Sequence, residues 1–379
     1  MDFQLPADDD PRRLAVRAWL AEHPHPSGAA LAGAGYVAPH WPAPYGVGAD
    51  PVHQVIIDDE LSKAAVRRPS NPIGIGWAGP TLLYAGTAEQ QARYLPRLLS
   101  GEDFWCQLFS EPGSGSDLAG LSTRAVRDGD EFVVNGQKIW TSGAQFAAYG
   151  ILIARTDPDL PKHKGISYFI CPMDLPGIEI RPIREMTGGK TFNEVFFTDV
   201  RIPAANLVGD LNDGWRLAKV TLGNERVSLS TGGVLWGMGP TALQVLDALK
   251  ADGPITDPHI RQRLAVVYTE HVLLDLIRMR TVSARLRGAQ PGPEASVRKI
   301  LADEHGQHVM AVARDMLGAQ SMLTSDAWYD GFTFSQALTI GGGTGDVQRN
   351  IVAERVLGLP ADVDVQSGMT WAETRRGAS

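Results

Sequence analysis

Three stretches of the chain carry different hydrophobic periods. Up to about residue 105, apolar positions recur at helical spacing with loops between. Pro11 opens the first such stretch, PRRLAVRAWLAEH, and puts Leu14, Val16, Ala18 and Leu20 near one side. YVAPHWPAPYG is irregular by its proline and aromatic content. HQVIIDDELSKAAV and TAEQQARYLPRLL return to helical spacing, and Thr87 with Gln90 has the form of a capping box. From Phe104 to about residue 205 the runs shorten and fill with Ile, Val, Phe and Tyr: GILIART, GISYFICP, GIEIRPI and EVFFTDVRI. DGDEF and VNGQK carry Asp-Gly and Asn-Gly pairs suited to the positive φ of hairpin turns, so this stretch predicts an all-β module.

Helical spacing resumes at Trp215 and continues to the end. Asp257 and Pro258 suit the start of a long helix and Gly288 its stop. PEASVRKILADEHGQHVMAVARDMLG and GDVQRNIVAERVLG follow the same scheme, the latter ending before Pro360. Four long helices after a β module predict a C-terminal bundle. The expected organisation is residues 1–105 helical, 106–210 a β module and 211–379 a helical bundle.

Composition narrows the function. A chain of 379 residues, 44% hydrophobic, exceeds one ordinary domain. A net charge of -8 argues against a nucleic-acid partner but leaves room for a phosphorylated cofactor held by a few local donors. Cys106 and Cys171 read as small buried hydrophobes, and without a CxxC pair neither a zinc site nor a disulfide framework has support. His305 and His308 stand i, i+3 with no third ligand placed in sequence, so no metal is expected. The N-terminus is acidic through Asp10, with no basic and then apolar leader, and no apolar run approaches the ~20 residues of a membrane span. A cytoplasmic protein without a membrane partner is expected.

Four segments carry candidate chemistry. SEPGSGSD, Ser110 to Asp117, follows WCQLF; its glycines and hydroxyls suit either a simple turn or a close backbone approach to a polar ligand. It is not a P-loop, since no GKS or GKT follows. In KIWTSG, Lys138 to Gly143, the Trp is either a core residue or a platform for a flat heterocycle, with hydroxyls beside it for ring nitrogens. Glu225 and Arg226 are the only charged residues between Lys219 and Asp247. Glu225 is therefore either a buried carboxylate raised toward general-base range, half of a structural pair with Arg226, or a carboxylate exposed at a bend. GGGTGDVQRN, Gly341 to Asn350, opens a helix with free N–H groups, suited to an ordinary cap or to a phosphate or flavin edge.

Seven collinear segments resemble the acyl-CoA dehydrogenase family: AGYVAPHWPAPYG, GPTLLYAGTAEQQARYLPRLLSGE, WCQLFSEPGSGSDLAG, NGQKIWTSGA, FNEVFFTDVRIP, GWRLAKVTLGNER and GGGTGDVQRNIVAERVLGLP. The resemblance runs nearly the whole chain and implies a multidomain α and β fold: an N-terminal helical domain, a middle β-barrel and a C-terminal four-helix bundle. It implies FAD as cofactor. Gln107, Phe109, Ser110, Gly115, Ser116, Trp140, Thr141 and Ser142 would line it, Ser142 toward N5, and Gly343, Thr344 and Asp346 would approach it from the last loop. Ser116 would also lie near the pantetheine of the substrate, and Arg226 by the acyl-CoA site.

Many members of that family carry the catalytic base immediately before the Gly-Thr of the last loop, where this chain has Gly342. A minority, including the isovaleryl and long-chain types, carry it on the first bundle helix, where this chain has Glu225. The resemblance thus implies Glu225 as α-proton base, with the flavin ribityl hydroxyl and the Gly342 N–H polarising the thioester carbonyl. It implies an electron-transfer flavoprotein as electron acceptor and a role in fatty-acid or steroid side-chain oxidation.

Two departures bear on assembly. ADGPITDPHIRQRL stands where the family has Arg-x-x-Phe-Gly, and DMLGAQ, Asp315 to Gln320, where it has Gln-x-Phe-Gly-Gly. Both elements help hold FAD across a subunit interface in the family. A homo-dimer or tetramer therefore competes with a heterotetramer in which this chain is a half-site or non-catalytic partner. A flavin oxidase or monooxygenase on the same fold is a third reading.

Overall fold

The computed structural model describes residues 6–229, 239–251, 253–286, 292–319 and 326–376. They divide into two compact units. One holds the N-terminal helices, the sheet and the C-terminal segment from Asp364; the other holds Glu225–Val363 with Arg184–Gly189.

In the first unit α1 (Pro11–Glu22), α2 (Gly28–Gly33), α3 (Pro51–Lys63), α4 (Gly79–Ala85) and α5 (Ala88–Ser100) precede the sheet. Asp10 caps α1 by accepting from the Arg12 N–H, and Val16 and Leu20 bury one face. Leu14, expected on that face, is half-exposed; the buried place beside Val16 goes to Arg13, whose guanidinium pairs with Asp59 and Glu60 on α3. The capping box of α5 forms as expected, Thr87 Oγ1 accepting from the Gln90 N–H at 3.2 Å and Gln90 Oε1 from the Thr87 N–H at 3.1 Å.

The middle segment folds as β1 (Trp105–Leu108), β2 (Arg124–Asp128), β3 (Glu131–Ser142), β4 (Tyr149–Arg155), β5 (Ile166–Pro172), β6 (Ile178–Pro182), β7 (Phe192–Pro203) and β8 (Leu207–Val208). The order is β6-β7-β3-β2-β4-β5-β8, with β1 parallel to β4. Along this path β3 and β5 lie three strand spacings apart, roughly 14 Å in a flat sheet. Yet Phe132 on β3 and Phe169 on β5 bring their rings to 4.9 Å. The sheet therefore rolls around one core that takes side chains from β1 through β7. Its hydrogen-bonded path ends at β6 and β8 among the described residues, and the rolled sheet encloses the single core expected of the barrel. Cys106 and Cys171 are free and buried in this core.

The two turn pairs behave differently. Asp128 and Glu131 pair across a two-residue turn at Gly129 and Asp130, with Gly129 at φ 59°, so a hairpin forms where DGDEF predicts one, with glycine first in the turn. Asn135-Gly136 is not a turn but lies inside β3. There β7 carries an extra residue, Asp199 takes φ 50°, and the Asn135 amide bonds the Asp199 carboxylate at 2.9 Å. Gly136 is required by a close approach: a Cβ there would sit 2.4 Å from Thr123 Oγ1.

After the sheet come α6 (Gly214–Leu229), α7 (Ala242–Ala251), α8 (Pro258–Leu286), α9 (Ala295–Leu317), α10 (Ala327–Ser335), α11 (Gly345–Ile351) and α12 (Trp371–Arg376). Asp257 starts α8 as expected, accepting from the His259 N–H at 2.8 Å, and Gly318 at φ 55° ends α9. The predicted stop at Gly288 lies outside the described residues. Among the described residues α8 and α9 are the two longest helices. The sequence pattern did not anticipate α10, which Asp326 caps, or α12. In the second unit Val245, Leu264, Val267, Val309 and Val312 build the core between α7, α8 and α9. No helix among the described residues is long and apolar enough to cross a membrane.

Candidate active site

Within the first unit the fold brings SEPGSGSD against KIWTSG. The Ile139 N–H donates to Ser110 O at 2.9 Å. Lys138, fully buried, donates through Nζ to Phe109 O at 2.9 Å and to Glu111 Oε1 at 2.9 Å. Glu111 also accepts from the backbone N–H groups of Ser122 at 2.6 Å and Thr123 at 2.9 Å. Burial alone would push the Glu111 carboxyl up, but the Lys138 ammonium and these donors hold it below the usual range. Burial in turn holds Lys138 below an ordinary lysine, against the pull of Glu111. A paired charge under the loop anchors it from beneath.

The far side of the loop is backed by the C-terminus. The Trp371 indole donates to Gly120 O at 3.3 Å and packs against Arg155 and Arg375. Arg375 adds bonds to Gly120 O at 3.0 Å and to the Ser122 hydroxyl.

Trp140 is held outward by strain. Between Lys138 and Thr141, β3 carries one residue more than β7 opposite it. At this bulge Trp140 takes φ 61° and leaves its indole 58% exposed, edge-on to Phe192 at 6.0 Å. A large aromatic left exposed at a positive-φ bulge is a candidate ligand surface. Ser142, two residues on, is half-buried, and its hydroxyl makes no hydrogen bond among the described residues. Gly115 and Ser116 are exposed, and Gln107 and Ser110 half-buried. Two expected cofactor residues point elsewhere. The Phe109 ring packs against Tyr168 in the core, and Thr141 is fully buried with its hydroxyl unpartnered. These two can reach a ligand only through their backbone.

The second unit carries the last loop. Thr344 caps α11, accepting from the Val347 N–H at 3.3 Å. Gly342 and Gly343 lie at φ 69° and 89°, where a side chain is unfavourable. The N–H groups of Gly342 and Gly343 have no acceptor among the described residues. Asp346 is exposed and faces Arg349, which also pairs with Glu304 at 2.6 Å. A cavity of about 200 Å³ beside the loop is lined by Asp303, Glu304, Thr344, Asp346 and Arg349, among others. His305 and His308 share the Glu270 carboxylate, at 3.1 and 2.8 Å, and no metal-binding cluster occurs among the described residues. The side chains of Glu225 and Arg226 lie outside the described residues, as does Gln320.

Sequence reasoning missed the two buried lysines, Lys138 and Lys299, and their carboxylates. The signal for the second was present as an i, i+4 Lys–Asp pair on the apolar face of α9. The first pairs residues far apart in sequence and left no local mark.

An exposed indole on a strained bulge, a hydroxyl beside it and a glycine loop along its flank fit a flat, phosphorylated heterocycle. Along the chain the order is helices, then a sheet, then helices. The family models agree: the acyl-CoA dehydrogenase N-terminal domain matches residues 11–102, the middle domain 106–200 and the C-terminal domain 212–357. This chain belongs to the acyl-CoA dehydrogenase family, whose members bind FAD. It is 46% identical over 331 residues to the acyl-CoA dehydrogenase FadE34 of Mycobacterium tuberculosis, covering 87% of this chain and 46% of that protein. The chain thus spans about half the length of that relative. Among solved structures it resembles the Tcur3481-Tcur3483 steroid ACAD, with TM-score 0.78, 31% identity, and 96% of this chain and 100% of that chain covered. It also resembles the ChsE4-ChsE5 complex from Mycobacterium tuberculosis, with TM-score 0.76, 32% identity, and 96% and 100% covered.

Proposed function

We propose that the chain carries out the α,β-dehydrogenation of an acyl-CoA thioester to the trans-2-enoyl-CoA. The exposed Trp140 on its bulge, with Ser142 beside it, is the observation that carries the reading. Trp140 and Ser142 would hold the flavin ring, and the backbone of Ser110–Ser116 its polar edge. FAD, when bound, supplies the acceptor for the hydride that leaves the β-carbon. Glu225 takes the α-proton onto its carboxylate. The Gly342 N–H donates to the thioester carbonyl as negative charge gathers on its oxygen. A backbone donor suffices there, and φ 69° favours glycine over the carboxylate residue many relatives carry. Arg226 and Ser116 serve the acyl-CoA, and an electron-transfer flavoprotein takes up the electrons.

The thioester is bulky or branched near the reacting carbons. Gly342 adds no side chain beside the acyl path, and a Cβ at Gly223 would meet nothing within 4 Å among the described residues. The resemblance to a protein named a steroid ACAD supports the same class. Gly232 and Gly233, which would add to that room, lie outside the described residues.

A second reading is favoured by Asp315. It stands where the family has the Gln of Gln-x-Phe-Gly-Gly and is engaged with Arg263 at 2.8 Å, which holds its carboxyl below the usual range. A cross-subunit FAD contact from that position is thereby lost. The chain would then be one of two different subunits sharing fewer flavins than chains. Both solved relatives above are named as pairs of chains.

The test is purification, alone and with a co-expressed dehydrogenase-like chain, followed by heat release of FAD and flavin bleaching with a thioester panel. Yellow protein bleached faster by branched or polycyclic thioesters than by butyryl-, octanoyl- or palmitoyl-CoA is the expected result. Colourless protein in every combination overturns the reading, and a preference for a short straight chain overturns the substrate class.

A further inference from the structure

We infer that Lys299 is a positioning residue for the oxyanion donor at Gly342; the inference rests on the reading that Gly342 N–H meets the thioester carbonyl. Lys299 sits on α9 and is 1% exposed. Its Nζ pairs with Asp303 one turn away and donates to Leu338 O at 3.0 Å and to Gly341 O at 2.7 Å. The Gly341 carbonyl and the Gly342 N–H belong to one planar peptide group, and the bond between them is trans. In a trans peptide the C=O and N–H vectors are antiparallel. Holding the oxygen on Lys299 therefore aims the hydrogen of Gly342 away from α9, out of the loop.

The next peptide is held likewise. Gly342 O accepts from Gln348 Nε2 at 3.0 Å, and Gln348 is fully buried. The loop is closed behind these contacts by Gly341 N–H to Ala337 O at 2.9 Å and Gly345 N–H to Thr339 O at 3.0 Å. Two buried side chains thus take up the acceptor sides of the peptides flanking Gly342. The donor sides of Gly342 and Gly343 remain without an acceptor among the described residues. A glycine at φ 69° beside another at 89° has intrinsic freedom to swing its peptide planes. Oxyanion stabilisation needs a donor already aimed, because reorienting it during reaction forfeits much of its worth. Lys299 supplies that aim without touching the substrate.

A merely structural lysine would alter folding and leave enolate stabilisation untouched, so the test reads the enolate directly. Acetoacetyl-CoA is short enough to enter a site built for a larger acyl group, and its enolate absorbs in the ultraviolet whether or not the flavin reacts. It is titrated with pH while bound to the purified holoprotein, wild type against Lys299→Met, Lys299→Gln and Lys299→Arg, with flavin content and circular dichroism as folding controls. In the wild type, binding should lower the pH at which the ligand enolises. In Lys299→Met the enolate fraction at a fixed pH should fall about tenfold, short of the loss from deleting a donor outright. Affinity below the enolisation range should change by less than about twofold. Lys299→Arg, which keeps a cationic donor, should recover part of the loss. If Lys299→Met does not fold, Lys299→Gln bears the same comparison. A wild-type enolisation profile in the folded Met or Gln variant overturns the inference. A wild type that fails to bind acetoacetyl-CoA, or binds it without favouring the enolate, counts instead against the Gly342 reading.

Discussion

Two glycine loops on separate units of the chain are each pinned by a buried lysine, and the two anchors differ in one respect. Beneath Ser110–Asp117, Lys138 holds a main-chain carbonyl and the carboxylate of Glu111. Beneath Gly341–Thr344, Lys299 holds two main-chain carbonyls and the carboxylate of Asp303. Glu111 is saturated with donors and held ionised. Asp303 keeps one oxygen without a partner, and burial, helped by Glu304 and only partly offset by Lys299, pushes its carboxyl up to about 7. The first anchor is a donor-saturated ion pair and the second can give up its charge. On the proposed reading the first loop seats a cofactor and tolerates a rigid mount, whereas the second presents one N–H and depends on the carbonyl bonds, with the carboxylate as a secondary support.

The sharpest way to break this comparison is to remove each ammonium. Lys138→Met strands an ionised Glu111 in the interior and should cost about 3–5 kcal/mol of stability, with loss of bound FAD. Lys299→Met should cost clearly less, because Asp303 can take up a proton, and its effect should fall on the reaction. Chemical denaturation of both variants checks the order; equal losses would mean that the two anchors are alike. A smaller effect separates the loops by backbone. Gly342→Ala forces a side chain into the left-handed region and should cost about 1–2 kcal/mol. Gly113→Ala meets open space and should stay within about 0.5 kcal/mol.

The smallest effect is in the pH dependence. Between its ordinary value of 3.8 and about 7, Asp303 holds a proton in the folded chain that the unfolded chain has released. Stability from this site therefore falls as pH rises through that window. Asp303→Asn removes the titration, so its stability relative to wild type should improve from pH 4 to pH 7, by about 1 kcal/mol or more. Lys299, Glu304, Asp346 and Arg349 lie around the same cavity or pair and are unchanged in the variant. A flat difference across the window would place Asp303 with Glu111 as a permanently charged group. Glu111 has the opposite sign: its stabilisation is present above its ordinary 4.5 and is lost only as pH falls below that.

Much of this architecture was legible in the sequence where the signal was local. The capping box at Thr87 and Gln90, the Asp-Gly turn after β2 and the glycine at the end of α9 follow from backbone chemistry within a few residues. Asn135-Gly136 misled because the same dipeptide serves a turn or a bulge, and only the partner strand decides which. The loops and Trp140 were found as motifs, but the reason Trp140 stands outward is the unequal residue count on β3 and β7, which no single segment contains. Lys138 looks like any strand lysine until Glu111 is folded over it, 27 residues away in sequence. Arg13 took a place that helical periodicity assigns to an apolar side chain, because Asp59 and Glu60 on α3 meet it there.

The proposed reading gives the role of base to Glu225 because Gly342 has no carboxylate. It is tested most directly by Glu225→Gln in the FAD-loaded protein, followed as the rate of flavin bleaching by the best thioester of the panel. Unchanged FAD content and thioester binding, with a loss of rate on the order of a hundredfold or more, is the expected result. A variant that bleaches at the wild-type rate contradicts it and moves the search to another carboxylate.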